Sequence, residues 1–363
     1  MKIWRNWVNW IKIVFGYLKF SLFLIITTTV LLEIIFMLLP TSDSLKTQPV
    51  TAEDKIVRYK KDRDVTRQLG FNFQHVTIKH INNYGYASDK DYQNKHVQTK
   101  RVVAVIGDSY VDAVQVKTRD AFHAVLDEDL ENFDVYPIGI NGSQLSQYLA
   151  FSSYAAEEFD PALYVFLIIY NDFDQSFFKY KKSKGFHYFN EDGELNLVEY
   201  QPSLLTRLAR NSAFIRYLHI DLKIALQLQR IFKGRDITNS LQPKKKEEFL
   251  RTGRLAIDKF LIGVKQLTEN SKVVLLLDGD RNSIYKGMQQ RDITVPSNIL
   301  FEELKLLSKG IPNVDVVDLH NLFLQDWVNN NTKFNFDYDY HWNEYGHSIA
   351  ARALLDKINE LKL

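Results

Sequence analysis

Val102-Val103-Ala104-Val105-Ile106-Gly107-Asp108-Ser109-Tyr110 is the stretch on which the fold turns. A short apolar run rich in β-branched residues predicts a strand buried on both faces. The run stops at Gly107, which permits a tight turn with unusual backbone angles. Asp108 and Ser109 follow, both good residues for opening a helix. A serine on a strand-to-helix turn presents its hydroxyl beyond the carboxyl end of the strand, where open α/β sheets carry their ligand sites. Read alone, Gly-Asp-Ser is equally a helix cap, so the meaning of Ser109 depends on what the other loops bring to it.

Working outward, the pattern from Arg101 onward alternates strands and helices. Strands are expected at Val102–Ile106, Val135–Ile138, Ala162–Ile169, Val273–Leu277 and Val314–Leu319. Helices are expected at Phe122–Leu130, Ser143–Glu158, Phe249–Leu267, Ile299–Leu307 and Glu344–Leu361. Asn190-Glu191-Asp192-Gly193 marks a hairpin turn within Phe186–Val198. Residues 203–232 show helical spacing, and Pro243–Lys246 reads as a polar break. Together, about 178–246 reads as an insertion covering one edge of the sheet.

The other end of the chain is of a different kind. Lys2, Arg5 and Lys12 alternate with Trp4, Trp7 and Trp10, a flank suited to a membrane interface. Phe20–Leu39 is apolar apart from Ser21, three threonines and Glu33, and about 20 such residues cross a hydrocarbon core. Basic residues precede this run, while Asp43, Glu53 and Asp54 follow it, so the positive-inside rule puts the N-terminus in the cytoplasm and the rest outside. A cleaved signal peptide fits less well, because Leu38-Leu39-Pro40 lacks the small residues of a cleavage site. The expected organisation is a cytoplasmic terminus at 1–12, a transmembrane anchor at 13–40, a juxtamembrane linker and extension at 41–100, and the α/β domain at 101–363. Glu33 is expected near the outer interface or against another helix.

Composition excludes several classes. The chain has 363 residues, a formal net charge of +2, and no cysteine. That removes disulfides, thiolate metal sites and a cysteine nucleophile. The charge is too small, and the lysines too scattered, to suggest nucleic acid as a partner.

Acyl transfer needs a nucleophile, a base, a group that orients the base, and donors for the developing oxyanion. Ser109 is the nucleophile candidate. His341 is the candidate base, on a polar loop before the last helix and beside Asp339 and Asp337. Gly142 offers a backbone N–H and Asn171 a side-chain amide, each just after a predicted strand; with the Ser109 amide they make three donors. Each residue has a plainer role as well: a loop histidine, a turn glycine, a helix cap. His347, Asp108 and Trp342 read as structural. Asp278-Gly279-Asp280-Arg281 suggests either a loop beside the pocket or two carboxylates for an ion; without a histidine it is poor evidence for metal.

Gly107-Asp108-Ser109, Gly142, Asn171-Asp172 and His341, taken in that order, resemble the four blocks of the SGNH, or GDSL-like, hydrolase family. The longer blocks Gly107–Tyr110, Tyr170–Phe173 and Asp339–His347 resemble its membrane-anchored bacterial branch. The resemblance implies a flavodoxin-like three-layer α/β/α sandwich with a parallel sheet, preceded by one transmembrane helix. It also implies ester chemistry without metal or other cofactor, with Ser109 as nucleophile, His341 as base and an oxyanion hole from Ser109, Gly142 and Asn171. Many members carry the acid three residues before the histidine, where this chain has Tyr338. Asp339, two before it, follows the spacing of polysaccharide acetyltransferase relatives and is preferred to Asp337; a Ser–His dyad oriented by a backbone carbonyl is the remaining alternative. The implied function is an extracytoplasmic esterase or O-acyl transferase acting on an acylated small molecule, a lipid or an envelope polymer. The rival from another class is a non-catalytic binding or assembly subunit of the same fold, and a lipase-like enzyme at the membrane surface is a weaker third.

Overall fold

A computed structural model describes residues 2–70, 72–224, 243–337 and 339–363 of the chain. A single long helix, Lys2–Leu38, opens it, and its stretch Trp10–Leu38 is long and apolar enough to cross a membrane. The following residues hold two strands that the sequence pattern did not reveal, β1 (Arg63–Leu69) and β2 (His75–Ile81), paired in a two-stranded sheet.

The central sheet begins with β3 (Arg101–Gly107) and β4 (Phe133–Gly139), and continues with β5 (Leu163–Ile168). A small antiparallel hairpin of β6 (His187–Phe189) and β7 (Leu195–Leu197) interrupts it, where the Asn-Glu-Asp-Gly turn predicted one. The sheet is completed by β8 (Lys272–Leu277) and β9 (Val314–Asp318). The five strands lie in the order β4-β3-β5-β8-β9, all parallel. The expected α/β class, with a parallel sheet and one preceding apolar helix, is what the chain adopts.

Alternation along the strands builds two cores. Val102, Ala104 and Ile106 face a layer that includes Tyr148 and Phe151 of helix Leu145–Phe159, Phe260 of Pro243–Leu267 and Leu300 of Pro296–Ser308. Val103 and Val105 face the other layer, with Phe122 and Leu126, Phe323 of helix Leu319–Asn330, and Leu354 of Glu344–Leu361. Both faces are covered, which is why these strands read as continuous apolar runs.

Two readings need correction, and one helix adds to the expected set. The Pro243–Lys246 segment is no break: helix Pro243–Leu267 starts there, since proline is well suited to a first helical position, where no backbone donor is lost. Helix Leu319–Asn330 follows β9 directly, capped by Asp318, whose carboxylate accepts from the His320 amide at 3.0 Å. The helical reading of 203–232 holds in part: Leu204–Asn211 and Ala213–Arg216 are helices, Tyr217–Asp221 is a π-turn, and the portion beyond 224 lies outside the described residues.

The chain divides into two compact units. One gathers the N-terminal helix and its continuation to Ser44, Thr66–Val76, and the segment beginning at Ser203. The other contains Leu45–Val65, Thr77–Pro202 and the rest of the chain, and so the whole central sheet.

Candidate active site

Gly107 and Gly139 stand side by side in the β3–β4 register, at the carboxyl ends of both strands. A Cβ on Gly107 would come within 2.4 Å of Val111 Cγ2, and one on Gly139 within 2.7 Å of Val111 Cβ. The expectation of unusual angles at Gly107 is therefore replaced by a steric one. The glycine lets the short helix Ser109–Asp112 rest directly on the strand ends. Asp108 caps that helix, its Oδ1 accepting from the Tyr110 amide at 3.0 Å.

His341 Nε2 lies 2.8 Å from Ser109 Oγ. On the other side of the ring, His341 Nδ1 bonds Asp339 Oδ1, which also accepts from the His341 backbone amide at 2.9 Å. Asp339 thus fixes both the loop and the ring. Asp337 does not reach the imidazole; its side chain is 79% exposed and pairs with Lys333 at 2.8 Å. Position 338 lies outside the described residues.

Ser109 Oγ has a second neighbour, Asp108 Oδ2 at 3.1 Å. Burial pushes the Asp108 carboxyl above its ordinary range, although the Tyr110 amide, the His341 ring, Ser109 and Lys181 act the other way. The serine hydroxyl therefore has two acceptors within reach, and His341 is the nearer.

Ser109, Gly142, Asn171, Lys181, Tyr340 and His341 line one cleft of about 390 Å³. Gly142 has a φ of +84°, which a side-chain residue adopts only under strain. The amide oxygen of Asn171 is buried without a hydrogen-bond partner among the described residues. The next residue, Asp172, turns inward and accepts from Tyr148 Oη at 3.0 Å and the Ile169 amide at 2.8 Å. All of the predicted site residues except Asp337 therefore meet at the carboxyl edge of the sheet, Asp339 through its bonds to His341.

Lys181 is a member of the cleft that sequence reading missed. It comes from the segment after β5, and its Nζ donates to the Gly142 carbonyl. Burial pushes its ammonium pKa down, while Asp108, Asp172 and Asp174 pull it up. No local pattern marks it, since the Gly142 carbonyl to which it donates is 39 positions earlier in the chain.

Asp278, Asp280 and Arg281 turn out to support the site. Asp280 caps the short helix Arg281–Ile284 and accepts from Ser283 and Asn298, contacts that outweigh its burial and lower its pKa. Asp278 accepts from the Trp342 indole N–H at 2.9 Å and pairs with Arg281 at 3.2 Å. Arg281 donates to Tyr110 Oη at 2.7 Å, and that hydroxyl donates to the Tyr340 carbonyl at 2.9 Å. The contacts close a ring gripping the residues on both sides of His341 and tying them to the residue after Ser109. Trp342, Tyr110, Asp278 and Arg281 are all buried. Among the described residues, no group of three His, Asp or Glu side chains converges as a metal site.

A second brace comes from the 41–100 segment. Tyr59 Oη donates to Asp112 at 2.7 Å and accepts from the Asn141 amide at 3.3 Å, linking the Ser109 helix to the Gly142 turn. His347 is packed on Phe122 and accepts from its amide at 3.3 Å, and burial pushes its ring pKa well below the ordinary histidine value.

No family model matches this chain, and no curated protein sequence matches it. Similar solved structures include a member of the lipolytic protein G-D-S-L family from Veillonella parvula (15% identity, 70% of this chain and 97% of that one, TM-score 0.38). An acetyl xylan esterase, Est2A, from Butyrivibrio proteoclasticus is similar at 13% identity over 78% of this chain and 68% of its own, with TM-score 0.35. A two-domain esterase active on acetylated mannans is similar at 11% identity over 72% of this chain and 50% of its own, with TM-score 0.38.

Proposed function

We propose that the protein is a serine esterase or O-acyl transferase of the SGNH type. The observation that carries this is the alignment Ser109 Oγ–His341 Nε2–Asp339, with Ser109 and His341 in one cleft with Gly142 and Asn171. With Nδ1–H donated to Asp339, the imidazole presents a bare Nε2 to the serine hydroxyl. Ser109 Oγ attacks the acyl carbonyl carbon as its proton passes to Nε2. The oxyanion is received by the Ser109 and Gly142 amides and the Asn171 amide group. Collapse breaks the bond to the leaving oxygen, which takes the proton from Nε2 and leaves an acyl-Ser109. Water resolves that ester in a hydrolase; a hydroxyl of a second substrate resolves it in a transferase.

Most of the side chains that face the cleft are polar, with Asp108, Asn141, Asn171, Gln175, Lys181 and Ser183 among them. Such a lining favours a short acyl group on a hydrophilic carrier, such as an envelope glycan, over a long lipid tail. The apolar N-terminal helix supports anchoring in the cytoplasmic membrane, and the basic flank preceding it supports a cytoplasmic N-terminus with the α/β domain outside.

The test is turnover of a chromogenic acetyl ester by the full chain. Ser109→Ala and His341→Ala are each expected to fall to the background rate with the fold intact by circular dichroism. Turnover by Ser109→Ala at the wild-type rate would overturn the proposal.

A further inference from the structure

Helix Leu204–Asn211 is strongly two-sided. Leu204, Leu205, Leu208 and Ala209 fall on one arc, with Thr206, Arg207 and Arg210 on the other. The three leucines are 67%, 77% and 57% exposed. Three adjacent leucines so open to solvent form the kind of patch that marks an interaction surface.

What lies beside the patch identifies its partner. At its end, Ser212 Oγ donates to Glu33 at 2.6 Å, and the amides of Ala213 and Phe214 donate to the same carboxylate at 2.7 and 3.1 Å. The Phe36 ring stacks on Phe214 and Tyr217, with centroids 5.5 and 4.4 Å apart. Glu33 and Phe36 belong to the last turns of Trp10–Leu38. At about 1.5 Å per residue, Glu33 is about 8 Å inside the outer end of that helix. The segment joined to the leucine helix is therefore docked at the depth where acyl chains give way to headgroups. Three donors on the Glu33 carboxylate satisfy a charge that would be costly there if unpaired.

We infer that Leu204–Asn211 is an interfacial helix that lies on the outer leaflet, its leucines toward the acyl chains and its arginines toward the headgroups. Such helices immerse an apolar face about 5–10 Å into the boundary, which matches the depth of Glu33. The inference rests on the reading of Trp10–Leu38 as a membrane anchor.

The chain has no cysteine, so a single introduced thiol can be labelled cleanly. Full-length Leu205→Cys and Ile34→Cys, each carrying bimane, would be reconstituted in phosphatidylcholine vesicles containing lipid brominated near the headgroup, with unbrominated vesicles as the unquenched reference. Ile34 is exposed and adjoins Glu33, so it marks the same depth of the helix. The inference predicts that Leu205 loses at least half as much fluorescence as Ile34. Quenching at Ile34 with none at Leu205 overturns it, including when a second copy is what covers the helix. No quenching at Ile34 overturns the anchor reading, and this inference with it.

Discussion

Asp339 accepts from both the backbone and the ring of His341, so its loss affects placement and tautomer together. Replacing an orienting aspartate by asparagine in a serine triad costs about 10⁴ in kcat, because the amide favours the wrong tautomer. Asp339→Asn is expected to lower kcat by about 10³ to 10⁴ with little change in KM, measured by steady-state kinetics on an acetyl ester. Asp337→Asn should stay within about twofold, since an exposed pair with Lys333 contributes little. At this scale the site was largely legible. Ser109, Gly142 and Asn171 follow strand ends, and strand ends are visible as apolar runs. Lys181 and Tyr59 were not, because they reach the site through contacts far apart in the chain that leave no periodic trace.

The elements around the serine are held by close approach and by a closed set of buried bonds. Gly107→Ala would push a methyl into Val111, and overpacking of this kind costs about 1–3 kcal/mol. A lower midpoint in thermal unfolding is expected, with partial recovery in the Gly107→Ala/Val111→Ala double variant. Trp342→Phe keeps an aromatic ring at this buried position but leaves part of the indole's space empty and removes the N–H that Asp278 accepts. Loosening the His341 loop in this way should lower kcat about 10-fold or more while KM stays within about twofold, in protein shown to be folded at the assay temperature. The apolar strands were legible for a simple reason: a parallel sheet covered on both faces leaves no alternation to misread. Helix Leu319–Asn330 was hidden because it starts without a loop, and the first turns of the helix expected at Phe249–Leu267 because Lys244–Glu248 is a charged run without apolar spacing.

For the molecule as a whole, the buried histidines set a pH limit. Burial, with Lys79 nearby, lowers His123 to about 3, and burial with Lys55 nearby lowers His187 to about 4. The unfolded chain protonates these rings near pH 6.5 and the folded one does not, so their contribution to stability falls as pH drops from about 6.5 toward 4. Asp172, raised by burial and by Asp108, works in the opposite sense, because the folded state holds that proton more tightly. The clean readout is therefore a difference. Unfolding free energy of His123→Gln should lose pH dependence relative to wild type by about one proton, about 1.4 kcal/mol per pH unit, across that interval. Organisation at this scale was only half legible: the apolar N-terminal helix is plain in sequence, whereas the grouping of Glu33 with Ser212–Phe214 depends on folding across 180 positions. The central claim remains that four loops build one acyl-handling serine. It is tested most directly by the intact mass of the full chain after exposure to a fluorophosphonate. The account predicts one phosphonyl adduct on Ser109, absent in Ser109→Ala and strongly slowed in His341→Ala. No adduct on the folded wild-type chain, or the same adduct in Ser109→Ala, would contradict it.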